Sequence, residues 1–428
     1  MLEDRTLFET APAPRADRTW VGGWLVSPSW DLLWILNGIP LALVFLLLGS
    51  VVDSRPLLQK TAFVLTVLLW GGHNLSPMVA AWGNTDFRAH MLGRRGRFLW
   101  FPLALWAAAT AVGLLAGSQL TRLPAPDGFG TAAPGPKDHL NGIIALAYVY
   151  LAWNQWHFCG QHFGVLAIYR RQQGGAFDPV ERAWDRWYCV TFGMVLVPLA
   201  WLLNDNSVFQ HLSFYLPPVD RSLSRSACVG LAAVSAVLAT LVVLRELRKP
   251  RRSIARLGYV ITVGTAPIVA AIASPIVFLA VWAANHWATA IALASRIVAN
   301  ASRPAGDPVP GDGRRVLGFV PPAIAMMAVS IPLAALLGVQ QDVMKATDGF
   351  VTLRGVTPFL GAVIGFRYGF AFVHFLYDRS LYSFSSPAVR TMISPLLFAN
   401  DATSARRRPV PACNIRRVSP PRESATSE

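Results

Sequence analysis

The sequence has few charged residues and no clustered cysteines. Only 14% of its 428 residues are charged, against roughly 25% in a typical soluble domain, and its mean hydropathy is +0.42. The four cysteines lie far apart and form no CxxC pair, which argues against a zinc ribbon and a disulfide framework. This composition favours a multi-pass membrane protein over a soluble enzyme.

The N-terminus lacks the apolar core of a secretory signal. Residues 1–20 are polar and include acidic side chains, a composition that differs from that of a cleavable signal peptide. We therefore expect the first apolar run to be retained as a membrane-spanning segment.

Basic residues outnumber acidic ones and give the chain a formal net charge of +15. They cluster between the apolar runs and form no aromatic-rich basic domain, so we expect no nucleic-acid partner. Their placement is typical of residues that set membrane topology. The segment 245–252, which follows an apolar run, is the strongest such marker, and it orients both termini towards the cytoplasm.

Ten apolar runs approach the roughly 20 residues that a helix needs to cross a bilayer. Because proline can end a helix, Pro275 separates the seventh run from the eighth. The sequence predicts an all-α, polytopic bundle of about ten transmembrane helices in a bacterial inner membrane. The runs are 31–50, 60–82, 98–117, 139–169, 188–204, 226–245, 258–274, 276–297, 316–338 and 355–377.

The domain organisation follows from these runs. Residues 25–398 are predicted to form a single transmembrane domain. The segment 1–24 is polar, and the segment 399–428 is a basic tail rich in Ser, Pro and Arg. Such compositions bury too little apolar surface to fold alone, so we expect both ends of the chain to be disordered.

Six of the eight histidines lie in or beside the apolar runs. An ionisable side chain in hydrocarbon is costly, so each is a candidate functional residue. Five of them, on four different runs, fall at similar depths in the cytoplasmic half of the predicted bilayer. A lone histidine in a membrane is ordinarily a hydrogen-bonding group between helices, but scattered structural histidines would not share a depth. The predicted metal ligands are His73, His157, His162, His286 and His374.

Two of these histidines lie on the same run but not on the same face. His157 and His162 are five residues apart, which separates them by about 140° around an ideal helix. We expect both to face one ion only if the helix is locally rewound near Gly160, for example by a π-bulge.

Two carboxylates lie one helical turn from a histidine, Asp378 after His374 and Asp86 before His90. They are predicted as catalytic carboxylates or as partners that orient a ring. Other polar side chains are expected to surround the ligands and fix their tautomers. Two alternatives stay open: Arg367 could pair with Asp378, and His90 could be interfacial. The predicted neighbours are Asn74, Asn154, Gln161, Asn285, Arg367 and His90.

The residue types limit the choice of cofactor. Neutral imidazole suits iron, copper and zinc, and mixed histidine and carboxylate sets with open positions are typical of non-haem Fe(II) oxygen chemistry. Zinc would also accept three histidines and could activate water. Haem b is a further alternative, if histidines of facing helices act as axial ligands.

The stretch from Tyr368 to Tyr382, with His374-Phe-Leu-Tyr-Asp378 at its centre and Pro387-Ala-Val-Arg390 after it, resembles a recurring ending of a bacterial multi-pass membrane protein family. The histidine-bearing runs are more distantly similar to those of Brp/Blh-type β-carotene dioxygenases. That resemblance implies an integral-membrane bundle whose intramembrane histidines bind iron. The HxxxH and HxxHH boxes of classical membrane desaturases are absent.

Three active functions remain open from the sequence, besides a structural or assembly role in which the polar cluster only supplies hydrogen bonds between helices. The first is a metal-dependent oxygenase, hydroxylase or desaturase that binds iron, acts on a lipophilic small molecule from the lipid bilayer and takes electrons from an electron donor. The second is a proton- or solute-coupled transporter with a His/Asp site. The third is a b-type haem electron carrier.

Overall fold

A computed structural model describes residues 19–44, 56–117, 122–124, 139–173, 178–195, 198, 220–265, 275–301, 320–329, 358–384 and 386–398. Over these residues the chain is mostly helical, which confirms the all-α prediction. The predicted disordered tail after 398, most of the N-terminal segment and parts of several predicted spans lie outside the described residues.

The described helices range in length from 6 residues to 31. They are α1 (Pro28–Trp34), α2 (Pro56–Gly83), α3 (Thr85–Leu92), α4 (Phe101–Gly117), α5 (Gly142–Gln172), α6 (Pro179–Met194), α7 (Arg221–Arg248), α8 (Ile254–Tyr259), α9 (Pro275–Ala301), α10 (Val320–Val329), α11 (Pro358–Leu381) and α12 (Pro387–Leu397). A π-helical segment, Gly96–Trp100, leads into α4, and another, Val260–Thr265, continues α8.

Two short strand pairs accompany the helices. The strand β1 (Thr19–Val21) pairs in parallel with β4 (Arg251–Ser253), so the start of the described chain is tied to the segment after α7. The strands β2 (Arg122–Pro124) and β3 (His139–Asn141) pair in antiparallel fashion before α5.

Among the described residues, two helices are long and apolar enough to cross a membrane, against about ten spans predicted from the sequence. They cover Gly96–Ala116 and Ser222–Arg248. The helices α2, α5, α9 and α11 have 28, 31, 27 and 24 residues and are long enough. The count of two covers only the described residues, and side chains near the start of each of these four helices lie outside them.

The first predicted span, 31–50, is not one continuous helix. The helix α1 ends at Trp34, and the chain becomes helical again only at residue 38. The side chain of Asn285, on α9, donates to the Ile35 carbonyl at 2.8 Å and to Asn37 Oδ1 at 2.6 Å. A buried carbonyl freed by a helix break needs such a donor, so Asn285 stabilises the break.

Four helices form a closed ring at the centre of the bundle. The helix α2 contacts both α9 and α11, and α5 contacts the same two helices. The expected boundary at Pro275 is where α9 begins. Each helix of this ring carries at least one of the predicted metal-binding histidines.

Glycines bring α11 unusually close to α4. Gly361, Gly365 and Gly369 recur every four residues, a spacing that lets helix backbones approach. A Cβ atom added at Gly365 would overlap the Ala109 carbonyl oxygen, and one added at Gly113 would overlap that of Gly361. The α4–α11 contact therefore depends on the missing side chains.

The variant Gly365→Ala is expected to lower the free energy of unfolding by about 1–3 kcal/mol, the usual range for overpacking. Gly230→Ala in α7 is the matched control, because a Cβ atom there meets nothing within 4 Å. Alanine should stabilise that helix by up to about 1 kcal/mol. Reversible unfolding of both variants in detergent would test this, and effects of the same sign would contradict it.

Candidate metal centre

Each helix of the central ring places one buried histidine towards the others. These are His73 on α2, His157 on α5, His286 on α9 and His374 on α11, which we name the four-histidine cluster. Their exposed fractions lie between 0% and 7%. The ring centroids of His73 and His374 are 4.2 Å apart, and those of His73 and His157 are 5.9 Å apart. Histidines predicted to share a depth therefore also converge in space.

The ring nitrogens are spaced for a metal ion. One nitrogen each from His73, His157 and His286 lies within 4.8 Å of the other two, so this trio could hold a metal ion. The Nε2 atoms of His157 and His374 are 3.3 Å apart. Two nitrogen ligands of one tetrahedral ion, each bound at about 2.0–2.1 Å, lie about 3.3 Å apart. His374 therefore lies beside the trio, at a distance from His157 that suits two ligands of a shared ion.

Several buried nitrogens of the cluster have no hydrogen-bond partner among the described residues. These are both ring nitrogens of His286 and Nδ1 of His73. A buried polar atom without a partner costs about 1–3 kcal/mol. A metal ion that accepts one nitrogen lone pair from each ring would remove part of that cost, so the donor set fits a metal.

The tautomer of His374 is fixed by the backbone of α2. Its Nδ1 lies 3.2 Å from the Asn74 carbonyl oxygen, and since a carbonyl can only accept, Nδ1 carries the proton. Nε2 then presents a lone pair. The predicted neighbour Asn74 thus acts through its backbone, while its side chain donates to the Trp70 carbonyl at 2.8 Å.

Asp378 lies behind His157. Its Oδ2 atom is 3.6 Å from Nδ1 of His157, and the carboxyl group is buried. A carboxylate on the far nitrogen of a histidine orients the ring and favours the tautomer that binds metal through the near nitrogen. The other oxygen, Oδ1, has no hydrogen-bond partner in the described part of the chain. Asp378 lies one turn after His374 on α11, but its carboxyl group contacts a different histidine of the cluster, His157.

His162, also predicted as a ligand, lies beside the cluster and not within it. The helix α5 is a continuous α-helix from Gly142 to Gln172, so no rewinding at Gly160 removes the angle from His157. Nδ1 of His162 instead meets the Tyr259 hydroxyl at 2.6 Å. Its ring centroid is 5.9 Å from that of His286.

Two other predicted neighbours lie on α5. The side chain of Gln161 donates to the backbone carbonyl of His286 at 3.2 Å, so it contacts α9 and not the imidazole ring. Asn154 is half-buried and lies one turn before His157. Asn285, next to His286, faces the break after α1 as described above.

Asp86 and His90 are separated from the cluster because they belong to α3. That helix begins anew at Thr85, with Asn84 as its N-cap, and it leaves Asp86 exposed. The ring of His90 packs against Phe98, with centroids 6.0 Å apart. Partial burial lowers the pKa of His90, as do Arg94 and Arg97, which makes it a neutral ring at the surface.

Arg367 does not pair with Asp378. The two residues are on the same helix, eleven positions apart, which corresponds to about 16 Å along the axis. The guanidinium of Arg367 lies over the ring of Trp70, 5.5 Å from its centroid. Such cation–π contacts are worth about 0.5–2 kcal/mol, so Arg367 connects α11 to α2.

Aromatic rings that were not predicted as part of the site cover the cluster. Phe158 stacks on His286 with centroids 3.7 Å apart, and Trp282 stacks on Phe158 at 4.0 Å. Phe375 lies 4.7 Å from His157. Phe158 and Phe375 each directly follow a histidine in the sequence, a signal that could have indicated them. These rings therefore provide apolar surface against His286 and His157.

Comparison of the chain with protein-family models, curated proteins and solved structures finds no match. The resemblances to the bacterial multi-pass family and to the Brp/Blh-type dioxygenases therefore stay predictions.

Proposed function

We propose that this chain is a multi-pass membrane oxidoreductase whose four-histidine cluster binds iron and uses dioxygen to oxidise a lipophilic substrate. The observation that carries the proposal is the 3.3 Å approach of the Nε2 atoms of His157 and His374. Nδ1 of His374 lies 3.2 Å from the Asn74 carbonyl oxygen, and Nδ1 of His157 lies 3.6 Å from the Asp378 carboxyl group, just beyond hydrogen-bond distance.

A cation between His157 and His374 would stabilise the arrangement of their rings. If both Nδ1 atoms carry the proton, both Nε2 atoms present lone pairs to each other across 3.3 Å. Two lone pairs at that distance repel in a buried setting, where little water screens them. A metal ion between the rings turns that repulsion into two coordinate bonds. His286, with neither nitrogen partnered in the described residues, would complete the set together with His73.

Iron is favoured by the chemistry of the surroundings. Imidazole ligands with a nearby carboxylate and room for further ligands are typical of non-haem Fe(II) sites that react with oxygen. The rings of Phe158 and Phe375 at the cluster suit an apolar substrate and exclude water. The reduction of dioxygen needs electrons beyond those that the substrate gives, and an electron donor outside the chain would supply them.

Haem b fits the cluster poorly. Axial ligands of haem lie on opposite sides of a flat macrocycle. Five of the six pairs of rings in the cluster have centroids 4.2–5.9 Å apart, which leaves no gap for a porphyrin between the rings of those pairs. The Nε2 atoms of His157 and His374 are also too close to bind an ion from opposite sides, which needs about 4 Å at the usual bond length.

The membrane setting is part of the proposal: about ten spans in a bacterial inner membrane, with both termini in the cytoplasm. The two candidate spans and the length of the four histidine-bearing helices support it. The outer faces of α4 and α7 expose large apolar side chains, such as Leu114, Val237 and Leu241. A lipid environment accounts for such surfaces better than water does.

Metal analysis with an optical spectrum on detergent-purified protein tests the proposal. We expect roughly stoichiometric iron in the wild type, with no Soret band, and loss of that iron in His286→Ala. The matched control is His90→Ala, which removes a histidine outside the cluster and should keep the iron. Size-exclusion profiles and melting curves of each variant would show that folding is preserved.

Other outcomes would replace the proposal. Absence of metal after careful reconstitution would contradict it and favour the transporter hypothesis, which solute or proton flux by metal-free protein would support. Zinc in place of iron would point to activation of water. Iron retained in His286→Ala and lost in His90→Ala would show that the metal binds elsewhere.

A further inference from the structure

A buried tyrosine and histidine form a close pair beside the four-histidine cluster. Tyr259, the last residue of α8, places its hydroxyl oxygen 2.6 Å from Nδ1 of His162 on α5. The two residues are 2% and 4% exposed. The other ring nitrogen of His162, Nε2, has no hydrogen-bond partner in the described part of the chain. With its proton on Nε2, His162 accepts the phenolic proton at Nδ1.

The Tyr259–His162 pair is connected to the four-histidine cluster through neighbouring aromatic rings. The centroids of Tyr259 and His162 are 6.2 Å apart, and those of His162 and His286 are 5.9 Å apart. The ring of Trp282 lies nearly parallel to that of His162, 5.8 Å away. An electron on Tyr259 therefore reaches a cluster ligand in two short transfers between aromatic rings.

A buried phenol gives up an electron only if its proton has an acceptor. Loss of one electron makes the phenolic O–H a far stronger acid than an imidazolium, so its proton passes to a neutral imidazole within hydrogen-bond reach. Proton transfer between positioned side chains needs an approach of about 2.6–3.2 Å. The hydroxyl of Tyr259 and Nδ1 of His162 meet that requirement without any movement of the backbone.

We propose that Tyr259 is a redox-active residue that gives one electron to the metal of the four-histidine cluster after dioxygen has oxidised that metal. In the same step the Oη–H bond of Tyr259 breaks and an Nδ1–H bond forms on His162. Tyr259 becomes a neutral phenoxyl radical, His162 becomes an imidazolium, and the metal gains one electron. This inference rests on the proposed function, because it needs the metal and dioxygen.

The other buried tyrosines of this region differ from Tyr259. The hydroxyl of Tyr188 donates to the Val260 carbonyl at 3.1 Å, and a carbonyl oxygen is no base at neutral pH. The hydroxyl of Tyr169 donates to Asp31 at 2.9 Å, but its ring lies beyond Tyr259 and 5.9 Å from it. Tyr188 is thus a matched control, and Tyr169 is the rival donor.

Electron paramagnetic resonance of the full-length protein in detergent tests the inference. Protein loaded with Fe(II) without oxygen would be mixed with dioxygen and frozen within milliseconds to seconds. We expect a tyrosyl radical signal in the wild type and in Tyr188→Phe, and its loss in Tyr259→Phe. Ring-deuterated tyrosine should narrow the wild-type signal, which assigns it to tyrosine without any substitution. His162→Gln keeps an acceptor for the hydrogen bond but no base, so it should also lose the signal.

The outcomes separate this inference from the proposed function. If iron binds to all variants equally and the wild type forms no tyrosyl radical, the inference is wrong and the metal centre stands. A radical that survives in Tyr259→Phe but disappears in Tyr169→Phe also overturns it. If the wild type binds no redox-active metal, the proposed function fails and the inference fails with it.

Discussion

Replacement of Asp378 with asparagine is expected to weaken metal binding by the four-histidine cluster by about 10- to 100-fold, the usual effect of losing a carboxylate behind a metal-binding histidine. The carboxylate oxygen faces Nδ1 of His157 at 3.6 Å and is buried. Asparagine keeps the shape but removes the negative charge that favours a proton on Nδ1. Part of the His157 population would then carry its proton on Nε2, where it blocks the metal.

Competition with a chelator of known affinity measures this effect on the purified protein. Asp86→Asn is the matched control, because Asp86 is exposed on α3 and should leave the affinity unchanged. Asp378→Glu keeps a carboxyl group on a longer side chain, so its metal affinity should lie between those of Asp378→Asn and the wild type. Equal affinities of Asp378→Asn and the wild type, in a protein that loses its metal in His157→Ala, would show that Asp378 does not orient the ring.

The sequence predicts the centre of this molecule well because helix geometry determines depth. His73, His157, His286 and His374 share a level along four predicted helices, and the structure brings five of their six ring pairs within 5.9 Å. The 3.6-residue period also places Asp378 on the same face of α11 as His374, but the histidine that its carboxyl group meets is His157 of α5. The depth of a side chain along a helix, and the face on which it lies, follow from its own sequence position and do not depend on which helices pack against it.

Contacts between helices are not local, and the sequence pattern does not predict them. Nothing in the run 31–50 indicates that Asn285, far along the chain, stabilises a break after Trp34. The angle between His157 and His162 is visible in the sequence, but the partner of His162, Tyr259, belongs to a different helix. Asp86 follows a turn at Asn84 that a window of hydropathy does not detect. Residue type alone predicts a place at the metal site for Asn285, His162 and Asp86. Their contacts with other helices, or their exposure, keep them outside the four-histidine cluster.

The number of spans is a second point on which the sequence and the structure differ. The helices that carry the histidines are long enough to cross a bilayer, but side chains near the start of each lie outside the described residues. The two candidate spans, Gly96–Ala116 and Ser222–Arg248, are counted over the described residues alone. The expectation of about ten spans therefore stays a prediction.

A buried arginine just beyond the basic segment 245–252 has a structural role that topology rules did not predict. Arg256, on α8, is 1% exposed. Its guanidinium pairs with Asp185 and Glu181 of α6, each at 2.6 Å, and with Glu246 of α7. Lys249 adds a second cation, 2.8 Å from Glu246. One arginine thus joins three helices through three buried carboxylates.

The variant Arg256→Met should therefore lower the free energy of unfolding by about 3–5 kcal/mol, the usual cost of removing one partner of a buried ion pair. Methionine retains much of the side-chain volume, so the loss reports the uncompensated carboxylates and not a cavity. Arg245→Met is the matched control. Its pair with Asp178 is 38% and 37% exposed, and exposed pairs contribute about 0–1 kcal/mol.

The pH dependence of the difference identifies its cause. Burial raises the pKa of Asp185, while Arg256 and Arg170 oppose that rise. Without Arg256 the folded-state pKa rises further above the unfolded value of about 3.9, so the ionised group destabilises the fold at neutral pH. Protonation removes this penalty as the pH falls. Denaturant unfolding in detergent should therefore show the gap between Arg256→Met and the wild type narrowing from about pH 7 towards pH 4. A gap that stays constant over this range would assign the loss to packing, and the carboxylates would then not depend on Arg256.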